Sequence, residues 1–338
     1  MTQATDLNTI GFRTVVPAIV AVLAGFIVAS AAQTSTVVDV LHQGTASPVV
    51  AHNSWSKGAP LPTAVTYQMT GVIKGKVYNV GGHTTKVVGD NQVYDPAANT
   101  WSEAASLPTP TLNAASAVVA DTLYVFGGST SDGITNAVWA YEPKTNTWTA
   151  KAAIPTARQG AVAVVESNII YVIGGNTASS TRLSSVESYD PATDSWTTEA
   201  PLLVAKARPA SGLLKTTIVA AGGLTDSGVI GDNEGYDAST NVWSSLTDDP
   251  TPRSHTCNGV VNGVLYSAGG ASTADNALAV NQAFNLSKNG WTTKTSIPQA
   301  VASAGSAVYN GLLYCFGGSS KNSIPPGTVY NHVQIYQP

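Results

Sequence analysis

The sequence predicts an all-β fold, a six-bladed β-propeller of four-stranded antiparallel blades, and three observations predict it. A double glycine ending an apolar run recurs at Gly81-Gly82, Gly127-Gly128, Gly174-Gly175, Gly222-Gly223, Gly269-Gly270 and Gly317-Gly318, at intervals of 46, 47, 48, 47 and 48 residues. Downstream of the first five pairs an aromatic residue, Tyr94, Tyr141, Tyr189, Tyr236 or Phe284, is followed seven residues later by Trp101, Trp148, Trp196, Trp243 or Trp291. The sixth copy has Tyr336 without its tryptophan, and the missing residue stands at the other end of the chain as Trp55 in Asn53-Ser54-Trp55, which matches Asn99-Thr100-Trp101. Self-similarity at such a period marks a repeat architecture.

Each copy supplies one sheet. Two apolar runs joined by tight turns, such as Asn262-Gly263 and Asn310-Gly311, read as a hairpin whose turn residues accept positive φ. The Tyr-to-Trp segment is a second hairpin, turned at Asp95-Pro96 or Asp190-Pro191. A small four-stranded sheet has two apolar faces and open edges, so copies pack face to face, and closing them into a ring protects the edges.

The double glycine after a hydrophobic strand, then Tyr and Trp at fixed spacing, resembles the Kelch repeat over about residues 53–338. The resemblance implies a ring closed by strands from both chain ends, with Trp55 on the outer strand of the blade made by residues 300–338. It assigns no function, because one scaffold hosts many unrelated sites. Among enzymes of this type, the galactose-oxidase-like copper enzymes need two histidines, two tyrosines and a cysteine crosslinked to one tyrosine, a set with no match here. Exported six-bladed sialic acid mutarotases carry an acidic residue shortly after a glycine pair, with an arginine following. The stretch from Gly175 to Arg182 keeps Arg182 and lacks the acid. The acidic and histidine spacing of the iron site in plant specifier proteins is missing too.

Composition excludes several classes. Charged residues make up 11% of the 338 residues, and the net charge of −4 gives no polycationic footprint for nucleic acid. Residues 14–38 contain no charge, and Val15 to Ala32 is an apolar run ending in small residues. Residues 1–32 therefore read as a secretory signal or, uncleaved, a membrane anchor, and residues 33–52 as a leader without a domain of its own. In either case the propeller of residues 53–338 is expected to be exported.

The candidate site follows from the loops. One face carries the loop after each glycine pair and the crossover after each tryptophan, the longest post-glycine loop running from Ser319 to about Val329. Long loops on a rigid scaffold are where binding groups are placed. Counting back from the glycine pairs puts Val65, Thr111, Arg158, Arg208, Arg253 and Val301 in one column where the innermost strand begins, taking the fourth blade's hairpin as two residues shorter. Two residues on, Tyr67, Asn113, Gly160, Ala210, His255 and Ser303 form a second column on the same side. Arg158, Arg208 and Arg253 beside Tyr67, Asn113, His255 and Ser303 suit a carboxylate or acidic sugar. Alternatively the arginines tie crossover loops to neighbouring carbonyls.

Other groups carry weaker chemistry. His255 and Cys257 lie on one side of a strand, as a Cys–His nucleophile would, although a buried thiol is the simpler reading. Cys315 sits in the column of Val125 and Val172 and reads as packing, while a Cys257–Cys315 disulfide stays open. His83 and His332, from adjoining blades one and six, could form a metal site with His255, although three scattered histidines are a weak signal for one. Asp226, Asp232, Glu234 and Asp237 lack the spacing of a calcium loop and read as a solvated edge. The sequence thus predicts a monomeric binding module, without cofactor or metal, for a protein segment or glycan, with a mutarotase-like or oxidase-like enzyme as the alternative.

Overall fold

The computed structural model describes residues 52–272, 275–324 and 326–338, all within the unit Val50–Pro338. The signal or anchor expected over residues 1–32, and the leader up to residue 51, lie outside the described residues.

Six four-stranded antiparallel sheets form, one per repeat. Their innermost strands are Met69–Ile73, Ala115–Val119, Val162–Glu166, Ala210–Leu214, Cys257–Val261 and Gly305–Tyr309. Each neighbours the next around the ring, and the last adjoins the first. The blade that starts at Gly305 is completed by Ser54–Gly58, which pairs antiparallel with Val333–Gln337 so that Trp55 faces Tyr336. Second strands such as Ile169–Ile173 are buried almost throughout, whereas fourth strands such as Thr147–Lys151 are largely exposed. The core accordingly divides into six layers, one at each blade–blade interface; one, for example, joins Phe126 and Val138 of blade two to Ile170 and Val172 of blade three.

The repeated residues have repeated jobs. Each aromatic on the third strand stands opposite the tryptophan on the fourth, with ring centroids 4.9 Å apart for Tyr94–Trp101 and 5.0 Å for Trp55–Tyr336. Cross-strand aromatic pairs of this kind are a main source of sheet stability. The tyrosine hydroxyl donates to a left-handed Asn or Asp in the turn between them, as in Tyr141 to Asn146 Oδ1 at 2.7 Å. The same oxygen accepts the Ala105 amide at 2.8 Å, and the Trp148 indole donates to the Ala105 carbonyl at 2.8 Å. Ala105 is where the chain leaves blade one, so each Tyr–Asn–Trp set clasps the preceding blade's exit. At ring closure Asn53, Trp55 and Tyr336 clasp Thr295 in the same way.

The glycine pairs join blades. Gly174 and Gly175 have φ of 62° and 102°, and the Gly175 amide donates to the Lys206 carbonyl of the next blade at 3.0 Å. A Cβ on Gly174 would lie 2.3 Å from that carbonyl oxygen, so only glycine permits the approach. All six pairs make this bond, ending with Gly318 to Val65.

Two sequence expectations change here. Cys257 and Cys315 are disulfide-bonded, joining the innermost strand of blade five to the second strand of blade six. They are therefore neither packing thiols nor, in the case of Cys257, a nucleophile for His255. The link spans 58 residues, and Cys257→Ala combined with Cys315→Ala is expected to lower unfolding free energy by about 2–4 kcal/mol, as read by chemical denaturation. Nor are Asp232 and Glu234 a solvated edge. Glu234 is fully buried and, with Asp232, pairs with buried Lys206, while its oxygens also accept the Leu203 and Val204 amides.

Candidate functional site

Immediately before each innermost strand, one residue adopts left-handed backbone: Tyr67, Asn113, Gly160, Arg208, His255 and Ser303, with φ from 56° to 63°. Their peptide groups close a head-to-tail ring around the channel. Asn113 N donates to Tyr67 O, Gly160 to Asn113, Arg208 to Gly160, His255 to Arg208, Ser303 to His255 and Tyr67 to Ser303, at 2.8–3.3 Å. Left-handed backbone costs a non-glycine residue on the order of 1 kcal/mol or more, and such strain clusters at functional sites. Here the conformation sets five side chains at the mouth of a channel of about 290 Å³.

Tyr67, Asn113, His255 and Ser303 come together as the sequence predicts. Ala210 does not join them; Arg208 takes its place, because the fourth blade keeps the sixteen-residue spacing to its glycine pair and its hairpin is not shortened. The first column is therefore Val65, Thr111, Arg158, Lys206, Arg253 and Val301, and the expected convergence of three arginines is not found.

Arg158 and Arg253 are 0% and 1% exposed and lie within their own blades. Arg158 donates to the carbonyls of Gly174 and Ser185 and pairs with Glu187 at 2.8 Å. Arg253 pairs with Asp249 at 3.1 Å and reaches Val280 O and Gln282 Oε1. Both are the crossover ties of the alternative reading. Asp249 occupies the plug position held by Leu61, Leu107, Ile154, Leu202 and Ile297 in the other crossovers, and its burial with Arg253 explains the exchange. Burial raises the Asp249 carboxyl, with Arg253 opposing.

Arg208 differs in kind. It is half-buried, and among the described residues its side chain forms no ion pair and makes one hydrogen bond, Nε to Asn113 Oδ1 at 3.3 Å. Burial lowers its pKa to about 10, with Tyr67 opposing and Arg182 adding to the fall, so it is charged at neutral pH. Arg182, from the loop after the third glycine pair, has its Nε buried without a hydrogen-bond partner among the described residues and donates from Nη1 to Ser180 O at 2.7 Å. The His255 imidazole lies well below its usual pKa through burial and then the charges of Arg208 and Arg182, so it is neutral at pH 7. Its Nδ1 lies 2.8 Å from Ser254 Oγ, and its ring meets Tyr67 edge-on at 5.9 Å. Burial raises the Tyr67 phenol, with Ser303 and Arg208 opposing.

The long loop after the sixth glycine pair completes one side of the mouth. Asn322 Oδ1 accepts from Tyr67 at 3.2 Å and from Ser303 at 3.0 Å, and the Asn322 backbone N–H donates to Asp275 O at 3.1 Å. Neither Asn322 nor Asp275 stood out in the sequence, since nothing local marks a loop residue that crosses to a ring some twenty residues or more away. His83 and His332 do not assemble with His255, and no group of three metal-ligating side chains occurs among the described residues.

Residues 50–212 match the model of the KLHDC2/KLHL20/DRC7 Kelch-repeats domain. A stretch of 62 residues is 40% identical to Kelch-like protein 40 of Xenopus tropicalis, and one of the same length is 40% identical to that of Xenopus laevis. Each match covers 18% of this chain and about a tenth of the length of those relatives. A solved structure, that of YjhT, superposes with a TM-score of 0.71 at 20% identity, over 82% of this chain and 96% of the other, which shows a shared fold.

Proposed function

The chain belongs to the Kelch-repeat family of β-propellers, and from that premise we propose that it is an exported binding module taking an anionic group of a protein segment or glycan at the long-loop mouth of the channel, with Arg208 as its anchor. One observation carries the reading: among the described residues a charged guanidinium stands in the channel ring without a carboxylate partner, whereas the buried cations Arg158, Lys206 and Arg253 all have one. Arg182 adds a second positive charge at the same mouth. The Cys257–Cys315 disulfide supports export, because such bonds persist in oxidising compartments. N-terminal sequencing of exported protein tests that part, with a start at Ala32 or Gln33 expected.

The binding test is an array of acidic and neutral glycans and peptides probed with the propeller, followed by titration of the hits. Arg208→Ala is expected to weaken the anionic hits by about 1.5–3 kcal/mol while leaving the melting temperature unchanged. Arg158→Ala should do the reverse. Retained affinity in Arg208→Ala would remove the site. A carbohydrate-active enzyme is the second reading, favoured by one observation, the neutral His255 beside Tyr67 in the channel; anomer interconversion of an acidic sugar, lost in His255→Ala, would establish it.

A further inference from the structure

We propose that Lys206 and Asp232 condense into an isopeptide bond, a covalent crosslink inside blade four, with Glu234 carrying the proton that the condensation has to move. The inference is independent of the anion site at the channel mouth.

Lys206 stands in the column that Arg158 and Arg253 occupy in the two neighbouring blades, and all three are sealed from solvent. A guanidinium there can only tie. A primary amine is also a nucleophile once it has given up a proton. Its two partners lie on one side of the strand Gly228–Asp237, two residues apart: Nζ meets Asp232 Oδ1 and lies 2.8 Å from Glu234 Oε1. A bulge delivers Asp232, because Ala221 pairs with Asn233 and Gly223 with Ile230, which sets Gly231 and Asp232 together opposite Gly222. Asp232 is four residues before the third-strand aromatic, and blades three and five have Ser185 and Val280 at that position, so neither arginine meets a carboxyl from it.

The two carboxyls of blade four play different parts. Glu234 is anchored, Oε2 accepting the Leu203 amide at 2.6 Å and Oε1 that of Val204 at 3.2 Å. Among the described residues the Asp232 carboxyl is held by Lys206 and Glu234 alone, and its side chain is 26% exposed, so it can change its chemistry without freeing the loop and a released water has a way out. Burial raises the Glu234 carboxyl, with Lys206 opposing and the hydrogen bond with Asp232 adding to the rise, which suits it to shuttle a proton between the reactants.

In the reaction the Lys206 ammonium first returns a proton to Asp232, giving an amine and a carboxylic acid. Nζ attacks Cγ and the C–N bond forms. Glu234 Oε1 takes a proton from the nitrogen and passes it to the departing hydroxyl, the C–O bond breaks, water leaves, and Glu234 ends as it began. No oxidant or other reactant enters. Two effects drive the step forward. Groups held in contact reach effective concentrations on the order of 10⁵ M or more, above that of water itself. A neutral amide also replaces an ammonium and a carboxylate whose removal from water is costly.

The test is the mass of the full chain, reduced and denatured, after its N-terminus has been read. The native protein is expected to weigh one water less than its sequence, and fragment spectra of a tryptic digest to place the amide between Lys206 and Asp232, joining a peptide that begins at Leu183 to one that begins at Thr216. Lys206→Arg copies Arg158 and Arg253, so it should fold and regain the full mass. Glu234→Gln should lose the crosslink from most molecules. Circular dichroism shows whether each variant folds, and if Glu234→Gln does not, the native mass and Lys206→Arg decide alone. A native chain of full mass overturns the crosslink, as does a water loss that maps to other residues or persists in Lys206→Arg. A crosslink formed to the native extent in folded Glu234→Gln overturns the proton-carrying role.

Discussion

A chain lacking residues 53–60 is expected to lose its cooperative thermal transition and to self-associate. Four losses coincide. The Ser54–Gly58 ladder leaves Val333–Gln337 as an open edge, which is a template for pairing with another chain. Trp55 leaves Tyr336, whose ring it meets at 5.0 Å, and Asn53 no longer accepts the Tyr336 hydroxyl at 2.7 Å. Thr295, at the exit of blade five, loses both its clasping bonds. Removal of Ala59 takes the acceptor of the Trp101 indole, so the damage spreads into blade one. The point variant Trp55→Ala keeps the ladder and should cost about 2–4 kcal/mol, near the range for a large aromatic and scaled down because Trp55 is only half-buried. Light scattering and calorimetry decide the matter. A truncated chain that stays monomeric and melts at the native temperature would mean that the ring closes by other contacts.

The ring was legible in the sequence because its determinants are local and repeated: each glycine pair, tyrosine and tryptophan recurs at a spacing that one blade sets. The displaced Trp55 told the closure for the same reason. What a repeat does not announce is the direction of a side chain once the backbone turns left-handed. Period two assigned the mouth residues correctly in five blades, yet in blade four it was overridden by the likeness of three arginines. The sixteen-residue spacing back from Gly222 reaches Lys206, not Arg208, and that one number separates a buried tie from a channel anchor. Partners were less legible still. Glu234 looks like surface in sequence and is buried only because Lys206 lies beside it. Cys257 and Cys315, 58 residues apart, meet because adjacent blades bring an innermost strand against a second strand.

The clasping tyrosines make the stability of this fold sensitive to alkaline pH. Burial raises Tyr94, Tyr141, Tyr189, Tyr236 and Tyr336 above the usual phenol, Tyr141 and Tyr336 to about 12. For Tyr189 the neighbouring Asp194 carboxylate adds to the shift, and Glu199 does so for Tyr236. Each donates its proton to a turn oxygen, so the folded chain holds protons that the unfolded chain releases above pH about 10. Where the unfolded state binds fewer protons, stability falls as pH rises. The contribution of these phenols is therefore intact below pH about 10 and is lost as pH climbs through their folded values. A tyrosine that ionises only on unfolding shifts the equilibrium about tenfold per pH unit, and five of them act together. The expected result is a steep, cooperative unfolding between about pH 10 and 12, followed by circular dichroism, with a burst of phenolate absorbance at the same midpoint. Blade five carries Phe284 where the others carry tyrosine and supplies the internal control that the position folds without a hydroxyl. Tyr141→Phe combined with Tyr336→Phe should shift the midpoint upward and flatten the transition. Phenolate absorbance that is complete while the circular dichroism remains native would show that the clasps ionise in place and that the fold does not depend on their protons.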